Sequence, residues 1–306
     1  MIFCIFSFNR GLFLDNCVRS VEQCLPGAEI IIFDDDSGDT TTLSVLNKIR
    51  NKHRVITPNK AGTTKHGGLY GNMQHAIEVL KDTSSLVCFL QDDTQVVRPI
   101  LNEEIRSLKR LFSENSSLGF VQPCFLRRPD PEQQSFEASK EDGVRLFYRK
   151  DRNQSAGIHY SDLLITSPSR LLERHWVFKT SEPDNDRQAK ALFGPMPYLY
   201  SPFAMWLPNV PAYRGKKKTW ALKYAEKKAR CGYYPFKIWS TEKSRQFLAR
   251  AGKQPPVAQT HLTCEGQTPP TPWRYNPLSG NRLLKHLNSL ETFFHRHVAG
   301  RLGGSR

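Results

Sequence analysis

The N-terminal half alternates between short unbroken apolar runs and segments whose apolar positions recur every three or four residues. Residues 2–8, 29–33 (EIIIF) and 86–90 are runs rich in β-branched and aromatic side chains, the pattern of strands buried on both faces. Between them, Leu14, Val18, Val21 and Leu25 share one helical face before Pro26 and Gly27 stop it. Leu43, Leu46 and Ile49 do the same over 41–50, and Met73, Ala76, Ile77 and Leu80 over 72–80. Residues 54–57 read as a short strand, and a glycine-rich loop at 62–71, with Lys65 and His66, precedes the third helix. This alternation predicts an α/β fold with a parallel sheet and helices on both faces. Ligands of such sheets bind beyond the carboxyl ends of the strands.

Two of the apolar runs break directly into acids. The run at 29–33 continues as Asp34, Asp35, Asp36, Ser37, Gly38, Asp39; the run at 86–90 continues as Gln91, Asp92, Asp93. Adjacent carboxylates at the end of a buried strand are costly unless a cation compensates them. A hard divalent cation would do so and could hold a diphosphate at the same time. Two strands thus deliver carboxylates to one edge of the expected sheet. Further along, 162–172 (DLLITSPSRLL) reads as strand, turn and short helix, and 129–142 as a polar surface loop. Ser181, Glu182, Pro183 and Asp184 form a capping-box pattern at the start of another helix.

The charge is segregated. The 306 residues carry a formal +15, yet residues 201–306 hold 19 Lys and Arg against 4 Asp and Glu, so the first 200 are balanced. The chain therefore divides by composition at about 211, and the last third is suited to an anionic partner. Residues 216–230 (KKKTWALKYAEKKAR) read as a basic helix, and 266–277 as an extended linker. Over 281–302, Leu283, Leu287, Leu290, Phe294, Val298 and Leu302 form one stripe of an amphipathic basic helix, suited to docking on the domain or lying on an anionic membrane. Seven scattered cysteines without a CxxC pair read as reduced, buried thiols of a cytosolic protein. The start MIFCIFSFNRGLF reads as a first strand and not as a signal peptide.

These pieces, in this order, resemble the family-2 glycosyltransferases with their GT-A fold. FSFNR at 6–10 is similar to the first strand and its turn, and DDDSGD at 34–39 to the motif that contacts the nucleoside. GGLYGNMQHAI at 67–77 is similar to the stretch before the third helix, and FLQDDTQV at 89–96 to the DxD metal motif, with Gln91 where an acid is usual. The resemblance implies a GT-A domain with a mixed, mostly parallel sheet: a nucleotide-sugar half at 1–125, an acceptor and catalytic half at 126–210, and a basic, mainly helical C-terminal extension at 211–306. It implies that Asn9, Arg10, Asp34, Asp35, Asn72 and Asp92 bind the nucleotide sugar, a UDP-sugar foremost. Asp93 would hold Mn²⁺ or Mg²⁺, with His261 as a further ligand. Asp184 would be the catalytic base, with Asp186 and Glu182 behind it. The expected reaction is inverting transfer to a glycan, glycolipid or other hydroxyl acceptor at the inner face of a membrane.

Two other readings compete. A polyanion or nucleic-acid-binding module would use Arg and Lys interleaved with Trp and Tyr at 213–239. It ranks lower, because a scaffold has no reason to put acids on two strand ends. A sugar nucleotidyltransferase would keep the sheet, but the Gly-rich, lysine-bearing start of those enzymes is missing after the first strand.

Overall fold

The computed structural model describes residues 1–57, 68–129, 133–141, 143–151, 157–212 and 218–297. In chain order the elements are β1 (Ile2–Ser7), α1 (Gly11–Cys24), β2 (Glu29–Asp34), α2 (Thr40–Ile49), β3 (Arg54–Ile56), α3 (Gly68–Val79), β4 (Val87–Gln91), β5 (Thr94–Val96) and α4 (Asn102–Glu114). There follow β6 (Phe120–Val121), β7 (Phe136–Glu141), β8 (Val144–Arg149), β9 (Leu164–Thr166), α5 (Pro168–Glu173), α6 (Glu182–Leu192), β10 (Tyr198–Leu199) and β11 (Ala204–Trp206). The C-terminal part adds α7 (Trp220–Lys228), α8 (Thr241–Ala249), α9 (Ala258–His261) and α10 (Arg282–His297).

The principal sheet has the order β3-β2-β1-β4-β9-β6. β1 pairs in parallel with β2 and β4, and β2 in parallel with β3; β9 runs antiparallel to both β4 and β6. All six residues of β1 are buried, as its central place requires. The register sets Ser7 opposite Asp34 and Phe6 opposite Gln91, so β1, β2 and β4 end together. Because β9 is antiparallel, the residues that precede it emerge at that same edge: Leu164 faces Phe89, and Asp162 lies two residues beyond. The core combines Phe6, Phe33 and Phe89 of these strands with Met73, Ala76 and Ile77 of α3.

The expected acceptor half is built around rings. Phe120, Tyr160, Trp176 and Phe193 form an edge-to-face cluster, Phe120 lying 5.0 to 5.5 Å from each of the other three. The polar stretch read as a loop at 129–142 contains a strand instead. β7 pairs with β8, and Gly143, at φ +81°, takes part in the reversal. Only Phe136 of β7 is buried, so the strand carries no alternation that a sequence reader could find.

Compactness groups the residues differently from charge. One compact unit comprises 1–205 together with 237–262; the other comprises 206–236 and 263–306. The second unit is built on α7 and α10, with Ala221, Leu222, Ala225, Leu278 and Leu284 between them. Residues 266–277 carry no helix or strand, as expected. All seven cysteines are free, and six of them are buried. Among the described residues no helix is long and apolar enough to cross a membrane.

Arg98 is wholly buried in the first unit. It pairs with Glu104 at 2.6 Å and donates to the carbonyls of Pro99, Ser201 and Pro202. Removing one member of such a pair strands its partner, so Arg98→Met should cost about 3–5 kcal/mol, read as a lower midpoint in urea unfolding.

Candidate active site

Each strand end solves the problem of its own acids. Asp34 closes β2 and is buried. The Ser37 amide and hydroxyl donate to its two oxygens at 2.8 and 2.7 Å. The Asn9 amide donates to Ser37 Oγ at 2.8 Å, and Asn9 Oδ1 accepts from the amides of Gly38 and Asp39. Asn9 and Asp36 adopt φ of +51° and +60°, a left-handed conformation that Asn and Asp tolerate better than other side chains. The loops after β1 and β2 are thereby tied into one piece.

Asp92 follows β4 and extends its ladder, its amide donating to the Phe6 carbonyl. Its Oδ2 accepts from the Phe8 amide at 3.0 Å. The Arg10 guanidinium lies 3.4 Å from Asp92 Oδ1 and 2.6 Å from Asp93 Oδ2. Burial pushes the Asp92 carboxyl up; Arg10 pulls it down, and the Asp93 charge raises it further. Asp35 is also raised, first by burial and then by Asp34 and Asp36, against a hydrogen bond from Asn72. Asn72 sits on α3, whose first residue, Gly68, makes room for the Asp35 carboxylate: a Cβ there would stand 2.0 Å from Asp35 Oδ2. Asn9, Arg10, Asp34, Asp35, Asn72, Asp92 and Asp93 thus meet at one sheet edge. Lys65 and His66 lie outside the described residues.

A second group of acids gathers there, and sequence reasoning missed its centre. Asp162 Oδ1 accepts from Tyr70 at 2.9 Å and from Tyr160 at 3.0 Å. Burial raises its carboxyl, while the two phenols and the charge of Arg127 oppose the rise. Glu182, at the start of α6, is pushed up to about 7 by burial and by the Asp162 charge, again opposed by Arg127. Tyr70 also bonds Asn185 of α6. Helix α3 therefore joins the two groups, with Asn72 on one and Tyr70 on the other. The signal for Asp162 was present: an acid flanks the apolar run LLIT, as acids flank the runs before Asp34 and Asp92. Because β9 runs antiparallel, this acid precedes its strand instead of following it.

The three carboxylates expected around the base have three different settings. Asp184 is half-exposed, takes the hydroxyl of Ser181, the residue that caps α6, pairs with Arg187 and is lowered by these contacts. Asp186 is buried, and its Oδ1 accepts the amides of Ile158, His159 and Tyr160 at 2.9–3.1 Å. It holds the chain entering β9. Glu182 alone of the three faces the second acid group.

His261 is set among Phe125, Phe247, Arg250 and Lys243, and burial together with the two cations lowers it. Rings and cations disfavour a bound divalent ion, so Asp93 stands without it. Asp93 Oδ1 is buried with no hydrogen-bond partner among the described residues, and no three His, Cys, Asp or Glu cluster there as a metal site. One open carboxylate oxygen fits the mode in which a magnesium-like ion takes one or two carboxylates and completes its shell from substrate phosphate and water. Two cavities, of about 250 and 280 Å³, share no lining residue with either acid group.

A mostly parallel sheet with acids gathered beyond its strand ends is the arrangement in which α/β enzymes hold their ligands. The profile described as Glycosyl transferase family 2 matches residues 2–159, more than half of the chain. The protein belongs to that family and is a glycosyltransferase with the GT-A arrangement. No curated protein matches it. Among solved structures it is similar to an active-site mutant of LgtC (14% identity, TM-score 0.33, covering 65% of this chain and 72% of that one). It is also similar to the mannosyltransferase PcManGT from Pyrobaculum calidifontis in complex with GDP-Man and Mn²⁺ (14%, 0.40, 85% and 66%). A third is apo WbbM, a bifunctional glycosyltransferase (11%, 0.36, 71% and 40%).

The two helix acids should separate in stability measurements. Asp186→Ala strands buried amides and should cost about 1–3 kcal/mol in urea unfolding, whereas Asp184→Ala should leave the midpoint nearly unchanged.

Proposed function

We propose that the protein moves a sugar from a nucleoside diphosphate sugar, a UDP-sugar foremost, to the hydroxyl of a glycan or glycolipid, with Glu182 as the general base. The observation that carries this reading is the half-buried Glu182 carboxyl, raised to about 7, beside Asp162 at the edge where Asp92 and Asp93 end β4. A base raised toward neutrality accepts a proton more readily in the transition state. In the proposed step the acceptor oxygen bonds to the anomeric carbon as the bond to the diphosphate oxygen breaks. The acceptor proton passes to Glu182, and the anomeric configuration inverts.

Asp34, Asp35 and Asn72 would face the base and ribose, with Asn9 shaping the loop beneath them. Arg10 and Asp92 would flank the diphosphate. A divalent cation, Mn²⁺ or Mg²⁺, bound to Asp93 would supply positive charge against the leaving group. Asp162 is a positioning residue: it anchors Tyr70 and Tyr160 and keeps a negative charge near Glu182.

Asp93→Ala should abolish sugar transfer and donor hydrolysis while circular dichroism shows an intact fold. Unchanged turnover would remove Asp93 from the site. The basic form of Glu182 is the active one, so kcat/KM should fall roughly tenfold per pH unit below about 7. Glu182→Gln should lose about 10²–10⁴-fold in kcat. Asp162→Asn removes a charge that raises Glu182, so its acid limb should move to lower pH; a limb that stays in place refutes the coupling.

A further inference from the structure

The second compact unit buries only one side of its long helix. Leu284 of α10 faces Ala221, Leu222 and Ala225 of α7. The N-terminus of α7 is fastened to α10 by its caps: Thr219 Oγ1 donates to Asn288 at 2.7 Å, and Glu291 accepts the amides of Trp220 and Ala221. These bonds set Trp220 beside the α10 segment that contains Leu287, Leu290 and Phe294. Large side chains of that stretch of α10 are exposed. Leu283, Leu290, Phe293 and Phe294 are 68, 42, 56 and 59% exposed. On α7, Trp220 and Tyr224 stack at 5.4 Å and are 63 and 47% exposed. Six large apolar side chains on two joined helices are more than the isolated exposed apolar residue that any surface carries.

The charge around this face narrows what can cover it. Residues 206–236 and 263–306 hold 14 Lys and Arg against 3 Asp and Glu, a formal +11. Two of the three acids are engaged internally: Glu226 takes Lys218 and the Ala212 amide, and Glu291 takes the α7 amides. Lys223, Lys227 and Lys228 stand on the same short helix as the stacked rings. A second copy would bring another +11 against this face. Nucleic acid would satisfy the lysines and one or two rings, yet leave the leucine and phenylalanine stripe of α10 wet. A bilayer with anionic headgroups satisfies both. Its acyl boundary takes the apolar stripe, Trp and Tyr suit the interface, and lysine stems extend to the phosphates.

We infer that the face of α10 and α7 bearing Leu283, Leu290, Phe293, Phe294, Trp220 and Tyr224 docks on an anionic phospholipid surface. This inference stands apart from the reaction: it uses no residue of either acid group, and either can fail without the other.

The test is co-sedimentation of the full chain with vesicles of phosphatidylcholine alone and of phosphatidylcholine with phosphatidylglycerol, at low and high salt. Binding is expected only to the anionic vesicles and should weaken as salt rises. Phe294→Ser alters an exposed side chain and should weaken vesicle binding about tenfold or more, the scale of one buried aromatic, with an unchanged melting temperature. Lys227→Glu together with Lys228→Glu should weaken it through charge, with the apolar stripe intact. Absence of binding to anionic vesicles at low salt overturns the inference. So does binding that is indifferent to Phe294→Ser but displaced by RNA, which would leave a polyanion surface. Light scattering that shows a dimer dissolved by Phe294→Ser would assign the face to a second copy and overturn it equally.

Discussion

A carboxylate at the end of a doubly buried strand must be given hydrogen bonds or a counter-charge, and the architecture of the first unit follows from that demand. Asp34 is satisfied by Ser37, which is in turn held by Asn9. Asp92 is satisfied by the Phe8 amide and Arg10. Phe8, Asn9 and Arg10 all lie just after β1, the central strand, so the turn at 8–10 serves the acids of both neighbours. Among the described residues at these strand ends, Asp93 Oδ1 stays buried without a partner, as do Asp39 Oδ2 and Ser7 Oγ. Full compensation would have made a stable turn with nothing left to bind a ligand.

Helix α3 carries the second constraint. Its start approaches Asp35 so closely that a side chain at position 68 would displace the Asp35 carboxylate, which Asn72 also reaches. One turn of the helix therefore fixes where Tyr70 lies, and Tyr70 fixes Asp162 and reaches Asn185. The two acid groups are held by one rigid element, so their spacing is set by that helix.

The two units divide the electrostatic labour. The first packs acids against a few buried guanidinium groups, of which Arg10 and Arg98 are the principal ones. The second holds a large uncompensated positive charge on a small helical core. Such a charge destabilises a small unit through self-repulsion unless an anionic surface neutralises it.

Much of the first unit was legible in the residues. Unbroken apolar runs announced β1, β2 and β4, and the acids that end the last two marked a shared edge, because strand burial leaves a local record and because parallel strands place every such ending on one side. The hairpin of β7 and β8 left no record, since one face of β7 never became apolar. The choice among Glu182, Asp184 and Asp186 was equally hidden: a capping-box spelling gives all three the same local chemistry. Only the folded chain aims one at the second acid group, one at water and one at three backbone amides. Asp162 shows the same limit most plainly. A chain records which residues flank a strand, but the direction in which that strand enters the sheet, and hence the edge its flanking acid reaches, is decided by pairing between segments far apart in sequence.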